Sequence, residues 1–226
     1  MTDIIFDLYG TLISIYTNES SNQFWKRVSR KLRKYNNFTP TKLKNEYLKL
    51  CSELSKKDEE IDLLEVFKKL YNVNSAIALN IAKVFRRISI KNIKLYNGCY
   101  DLLSELKKYG YRIFLLSNAQ DCFTRYELHK FKIDVFFNDI AISSNYKIKK
   151  PNPLFLKTLI KKNNIKDAIM IGNDYICDII PAIDMKLKTI YIETETSNTV
   201  LNVSKIKGFD KKKILNQILK YTSPSN

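Results

Sequence analysis

Four short stretches of this chain end in side chains able to do chemistry. DIIFDL runs apolar into Asp7, with Gly10 and Thr11 close behind; LLSNAQ carries Ser117 and Asn118; KIKKPNP carries Lys149 and Lys150 before Pro151; IGNDYICD carries Asn173, Asp174 and Asp178. In an open parallel sheet, residues just past the carboxyl ends of the strands face a shared crevice, so a carboxylate, a hydroxyl, a lysine and an acidic pair would meet there. The single histidine, His129, narrows the chemistry, because Ser-His-Asp triads, HExxH zinc sites and histidine bases each need one. In RYELHKF it reads as an ordinary surface or half-buried residue. Any enzyme built here works through carboxylates, hydroxyls and lysine.

The elements that must position these groups are legible from periodicity. Residues 3–8 form a buried strand opening into a turn at Gly10 and Thr11. Over 14–87 the texture changes: Phe24, Val28, Leu32 and Tyr35 recur at helical spacing, as do Leu43, Tyr47, Leu50 and Leu54, then Leu63, Phe67 and Leu70, then Ile77, Ile81, Phe85 and Ile88. That pattern predicts four amphipathic helices and no strand, with Thr39 and Pro40 supplying a cap and a first helical residue. Beyond Gly98 helices and strands alternate: helix 100–109, strand 111–116, helix 123–130, strand 140–143, helix 153–163, strand 168–171, helix 179–185 and strand 189–193. A weak strand or loop at 201–206 and a helix at 211–221 follow, with 222–226 expected to fray. Such alternation predicts an α/β fold, a Rossmann-like three-layer core around a parallel sheet. The helical stretch is then an insertion, dividing the chain into a core of 1–13 and 91–226 and an inserted α-helical domain at 14–90.

Composition fits one such soluble unit. The chain has 226 residues, 45% hydrophobic and 12% aromatic, enough for a core without disulfides or structural metals. Its four cysteines show no metal-ligand spacing and read as reduced, mostly buried thiols. No apolar run approaches the roughly 18 residues of a spanning helix, and MTDIIFDLYG lacks the signature of a secretory leader, so no membrane partner and a cytoplasmic location are expected. The 39 basic against 23 acidic residues give a net charge of +16, yet only 7 of the 39 are Arg and the lysines fall on predicted solvent faces. Nucleic-acid binding, which favours Arg forks, is disfavoured; attraction of anionic substrates fits better. A monomer is the default, with a homodimer open.

FDLYGTLI, LLSNAQ, KKPNP and IGNDYICDI, in that order, resemble the four motifs of the haloacid dehalogenase-like (HAD) hydrolases, and an inserted helical block after the first motif resembles their C1-type cap. The resemblance implies that Asp7 is a nucleophile forming an aspartyl ester that water hydrolyses. It implies that Thr11, Ser117 and Asn118 hold the transferring group and that Lys150, directly before Pro151, neutralises charge, with Lys149 as rival. It further implies Mg²⁺ held by Asp7, the Tyr9 carbonyl, Asp178 and either Asn173 or Asp174. The activity implied is Mg²⁺-dependent hydrolysis of small phosphorylated metabolites.

Two departures leave alternatives open. Most phosphatases of the superfamily have a second Asp at position 9, which protonates the leaving alcohol; Tyr9, as in the haloacid dehalogenases, makes a 2-haloacid dehalogenase the first alternative. Asn173 after Gly172, where Asp is usual, leaves two registers for the metal ligand. A catalytically weak binding protein is the second alternative. The dehalogenases also need an Arg for the substrate carboxylate, and Arg27, Arg30 and Arg33 stand in a helix that does not resemble that segment. Phe24, Trp25 and Cys177 read as core rather than site.

Overall fold

The computed structural model describes residues 2–55, 60–193 and 203–223. The chain opens with β1 (Asp3–Phe6), crosses β2 (Ile13–Thr17), and runs through α1 (Asn22–Leu32), α2 (Pro40–Leu54), α3 (Leu63–Tyr71) and α4 (Ser75–Ser89) before returning along β3 (Ile90–Leu95). Strand and helix then alternate through α5 (Cys99–Lys108), β4 (Ile113–Ser117), α6 (Asp121–Lys130), β5 (Asp139–Ile142), the short α7 (Ser143–Tyr146), α8 (Pro153–Lys162) and β6 (Ala168–Gly172). A π-type turn at Tyr175–Ile179 leads into the short α9 (Ile180–Asp184), followed by β7 (Lys188–Glu193), β8 (Ser204–Lys207) and α10 (Lys211–Thr222).

Six strands pair in parallel in the order β5-β4-β1-β6-β7-β8. The alternating side-chain directions of a strand explain why near-continuous apolar runs were selected. Ile4 and Phe6, with Ile113, Leu115, Ile169 and Ile171, pack under α5 and α10. Ile5, Phe114, Leu116 and Met170 face the other way, toward α8 and α9. Each such side chain, fully buried, is worth about 1.5–3 kcal/mol. Strand order reverses at β1, whose neighbours β4 and β6 lead away to opposite sides, so the crevice opens beyond its carboxyl end.

The four helices of the insertion start at side-chain caps: Ser21, Thr39, Asp62 and Asn74 each accept a hydrogen bond from an amide of the first turn. They share an aromatic centre of Phe24, Trp25, Phe67 and Phe85, and that centre continues into α6 through Cys122 and Phe123. The Phe85 and Phe123 rings stack at 6.4 Å and 4°.

The sequence expectation of no strand in 14–87 is overturned at its start. β2 pairs antiparallel with β3, joining Ile13 to Leu95 and Ile15 to Ile93, so both crossings between helical block and sheet form one two-stranded ribbon. The expected helix at 179–185 is also shorter, because Tyr175–Ile179 winds as a π-type turn. At the tail, residues 201 and 202 and 224–226 lie outside the described residues; the strand there is Ser204–Lys207, and Thr222 completes α10. No helix among the described residues is long and apolar enough to cross a membrane.

Candidate active site

Asp7 is the first residue past β1, its amide bound to the carbonyl of Ile171 at 2.9 Å. Lys150 reaches it from the loop after α7: Nζ donates to Asp7 Oδ1 at 2.7 Å, to Asp178 Oδ1 at 2.6 Å and to the Leu116 carbonyl at 2.8 Å. An ammonium has three protons, and all three are used. Lys149 is exposed and takes no part. Asp7, Lys150 and Asp178 are all buried, so two carboxylates and one ammonium leave a formal charge of −1 in a dry place. Burial and the neighbouring charge of Asp7 raise the pKa of Asp178 above the usual carboxylate range, against the pull of Lys150. Burial works to lower the pKa of Lys150, but Asp178 and Asp7 together hold it above its ordinary value.

The remaining site residues take distinct places. Thr11, at the end of the turn after β1, lies with Oγ1 at 3.2 Å from Asp7 Oδ2 and 3.0 Å from Asn173 Oδ1. Gly10 sits at a φ of +87°, and a Cβ there would meet Asn173 Nδ2 at 2.4 Å, so glycine is required both for the backbone and for the close approach. At Gly172 the close approach alone applies: a Cβ would lie 2.2 Å from Asp178 Oδ2. Ser117, the last residue of β4, has a buried Oγ with no hydrogen-bond partner among the described residues. Such an orphan is costly in a finished core and suits a site that receives an acceptor from outside.

Two of the sequence-identified residues serve as supports. The Asn118 side chain exchanges two 2.8 Å hydrogen bonds with the backbone of Lys150, fixing the loop that delivers the ammonium. Asp174 caps the π-type turn, accepting from the amides of Ile176 and Cys177 at 3.0 and 2.9 Å. Of the two registers, then, Asn173 faces Thr11 and Gly10 while Asp174 holds the turn. His129 is exposed beside Asp134, Phe24 and Trp25 lie in the helical core, and burial with the charge of Asp174 raises the Cys177 thiol to about 12.

The donor set fits a hard divalent cation. Among the described residues no three His, Cys, Asp or Glu side chains cluster as a metal site, yet Thr11 Oγ1 links Asp7 Oδ2, one of the two carboxylates paired with Lys150, to the Asn173 amide oxygen. The carbonyl of Leu8 takes the amides of Thr11, Leu12 and Ile13, leaving that of Tyr9 without a donor among the described residues. All of these are oxygen ligands of the kind Mg²⁺ prefers.

Sequence reasoning missed the surroundings of Tyr9. Its phenol donates to Glu127 Oε2 at 2.5 Å on α6 and lies 3.1 Å from Thr124 Oγ1, while Arg86 Nε of α4 donates to Glu127 Oε1 at 2.6 Å. Burial and the Glu127 charge push the Tyr9 pKa well above a phenol's ordinary value. Also missed was Gln120 in LLSNAQ, whose amide donates to the Ile61 carbonyl and accepts from the Leu63 amide, pinning the helical block to the loop after β4. A crevice of about 480 Å³ lined by Lys83, Arg86, Arg87, Phe123 and Glu127 opens between α4 and α6. A larger cavity, about 760 Å³, lies at the opposite end of the sheet around Asp3, Arg112 and Asp167, away from this chemistry.

Comparison with known proteins bears on the family and the fold. The chain is 30% identical over 98 residues to the glyceraldehyde 3-phosphate phosphatase of Pyrococcus furiosus; the match covers 42% of this chain and 41% of that protein. The chain thus aligns with less than half the length of that curated relative. Among solved structures, a HAD phosphatase from Thermococcus onnurineus superposes with a TM-score of 0.64 at 16% identity, covering 98% of this chain and 97% of that one. A 2-haloacid dehalogenase from Pseudomonas syringae pv. Tomato DC3000 gives a TM-score of 0.68 at 13% identity, covering 98% and 100%. At such identities these likenesses speak to the fold. The family model described as haloacid dehalogenase-like hydrolase matches residues 4–192, the span from β1 to β7 on which every site residue described above lies, and the chain belongs to that family.

Proposed function

We propose that this chain is a Mg²⁺-dependent phosphatase of small phosphorylated metabolites, acting through an aspartyl-phosphate on Asp7. The observation that carries this reading is the buried Asp7–Lys150–Asp178 cluster with the unpartnered Ser117 hydroxyl at the end of the adjacent strand. Asp7 attacks phosphorus as the bond from phosphorus to the ester oxygen breaks, the departing oxygen taking a proton from solvent, and water then displaces Asp7, releasing inorganic phosphate. Lys150 offsets charge shared by Asp7 and the phosphoryl oxygens, Ser117 donates to one of those oxygens, and Thr11 orients Asp7. Asp7, Asp178, Asn173 and the Tyr9 carbonyl would hold Mg²⁺, which when bound adds neutralisation of phosphoryl charge. Asp174, engaged in capping, would support that set from outside. The helical block at 14–90 acts as a C1-type cap that excludes water over Asp7, in a cytoplasmic monomer.

One observation favours the dehalogenase alternative: the Tyr9 phenol is directed to Glu127, and a departing halide needs no proton. Against it, Arg27 and Arg30 on α1 and Arg33 at its C-cap are exposed, and Arg86 is committed to Glu127, which leaves none of these four guanidiniums for a substrate carboxylate. The deciding assay is hydrolysis of p-nitrophenyl phosphate with Mg²⁺ and with EDTA, with Asp7→Asn as control. Turnover that needs Mg²⁺ and is lost in the variant supports the phosphatase. Turnover of 2-chloropropionate but of no phosphate ester would replace it with the dehalogenase, and turnover of neither would favour a binding role.

A further inference from the structure

Glu127 is a carboxylate only 2% exposed, and the mechanism above leaves it unused. It joins three separate segments. Oε2 accepts the phenol proton of Tyr9 at 2.5 Å, Oε1 accepts Arg86 Nε at 2.6 Å, and Arg86 Nη2 reaches Oε2 at 3.3 Å. The guanidinium also lies over the rings of Tyr9 and Phe123, at 5.7 and 5.0 Å. The turn after β1, helix α6 of the sheet layer and helix α4 of the inserted block therefore converge on one carboxylate.

Tyr9 stands midway between Asp7 and Thr11, whose side chains must stay 3.2 Å apart to touch. The turn between them is held by amides bound to the Leu8 carbonyl and passes through the left-handed Gly10. That glycine gives it freedom, and the Tyr9 phenol supplies the anchor that opposes it. A buried charge pair is weak as a source of stability, and in some proteins such a pair serves to fix one geometry.

We propose that Glu127 is a positioning residue for Asp7: through the Tyr9 hydroxyl it fixes the turn carrying the nucleophile, and through Arg86 it makes that geometry depend on the seating of α4. This rests on Asp7 as the nucleophile of the proposed phosphatase. Small displacements of reacting groups cost up to about 100-fold in rate, so the lever is long enough to matter.

The test uses the full chain with p-nitrophenyl phosphate and Mg²⁺, because p-nitrophenolate leaves without a proton and a loss cannot be laid to a missing acid. Tyr9→Phe and Glu127→Gln should each lower kcat about 10- to 100-fold, with KM changed less than about twofold, and the double variant should be no worse than Glu127→Gln alone. Hydrogen exchange should quicken over 8–13 in both single variants, and over 75–89 only in Glu127→Gln. Multiplying losses in the double variant, unchanged kcat in Glu127→Gln, or unchanged exchange over 8–13 in Tyr9→Phe would overturn the proposal. If Glu127→Gln fails to fold, Tyr9→Phe, which leaves the ion pair intact, decides the question. Should the unmodified chain hydrolyse no phosphate ester, the phosphatase reading falls, while the exchange result over 8–13 still supports or overturns the anchoring of the turn.

Discussion

Both ends of the β1 region carry a buried aspartate paired with a cation, and the two pairs differ in what they leave over. At the amino end Asp3 faces Arg112, which donates from Nε at 2.8 Å and from Nη2, with Nη1 on the Asn163 carbonyl at 3.1 Å; the Arg112 side chain is 43% exposed. One charge meets one charge and water reaches the cation. At the carboxyl end Lys150 is sealed between Asp7 and Asp178, one negative charge is in excess, and an unsatisfied hydroxyl lies nearby. The larger cavity sits at the balanced end. Unbalanced buried charge, rather than empty volume, distinguishes the end where the proposed chemistry lies from the other.

The comparison breaks most sharply at the aspartates themselves. Asp7→Asn should lower kcat by at least about 10⁴-fold, whereas Asp3→Asn should leave kcat within about twofold and cost about 1.5–3 kcal/mol in urea unfolding, the scale of a charge-assisted hydrogen bond. Equal losses of activity in the two variants would abolish the distinction. A second test concerns leaving groups. With the Tyr9 phenol turned to Glu127, kcat/KM should favour p-nitrophenyl phosphate over an alkyl phosphate by about 10²- to 10⁴-fold, the usual worth of a general acid. Equal rates across that series would mean that some group supplies the proton.

Exchanging the cations comes next in size. Lys150→Met should cost about 10²- to 10³-fold in kcat and about 3–5 kcal/mol of stability by stranding two buried carboxylates. Arg112→Met strands one buried carboxylate, Asp3, rather than two, and should cost less, about 1–3 kcal/mol, and leave kcat intact; matched stability losses on denaturant titration would contradict the contrast. The smallest effect carries an opposite sign. Ser117→Ala should raise KM about tenfold, the worth of one hydrogen bond to bound substrate, yet leave stability unchanged or improved by a few tenths of a kcal/mol, since an unpaired buried oxygen is removed. A clear fall in melting temperature would show that the hydroxyl has a structural partner.

Much of this site was readable because its members follow a positional rule. Asp7 and Ser117 stand at or just past apolar strands and Asp178 in the turn that follows β6, so order along the chain translates into proximity at one end of the sheet. Asp174 and Asn173 were indistinguishable because adjacent residues trade places with a one-residue change in turn geometry; in the structure Asp174 caps the π-type turn at Tyr175–Ile179 and Asn173 meets Thr11. Glu127 and Arg86 carried no local signal: their meeting with Tyr9 depends on how α4 is set against α6, which no spacing within either helix encodes. The same holds for β2, a five-residue strand whose partner lies beyond four helices, where pairing rather than propensity makes the strand.

The shared aromatic centre makes the inserted block a tenant of one particular wall. Phe123 and Cys122 are sheet-layer residues by position and helical-block residues by packing, so the block expressed alone would present bare the aromatic surface that α6 covers. A graft of these four helices onto another α/β scaffold would have to bring that face of α6 with it, and exchanging blocks between relatives amounts to a transplant in which the recipient's helix must be matched first.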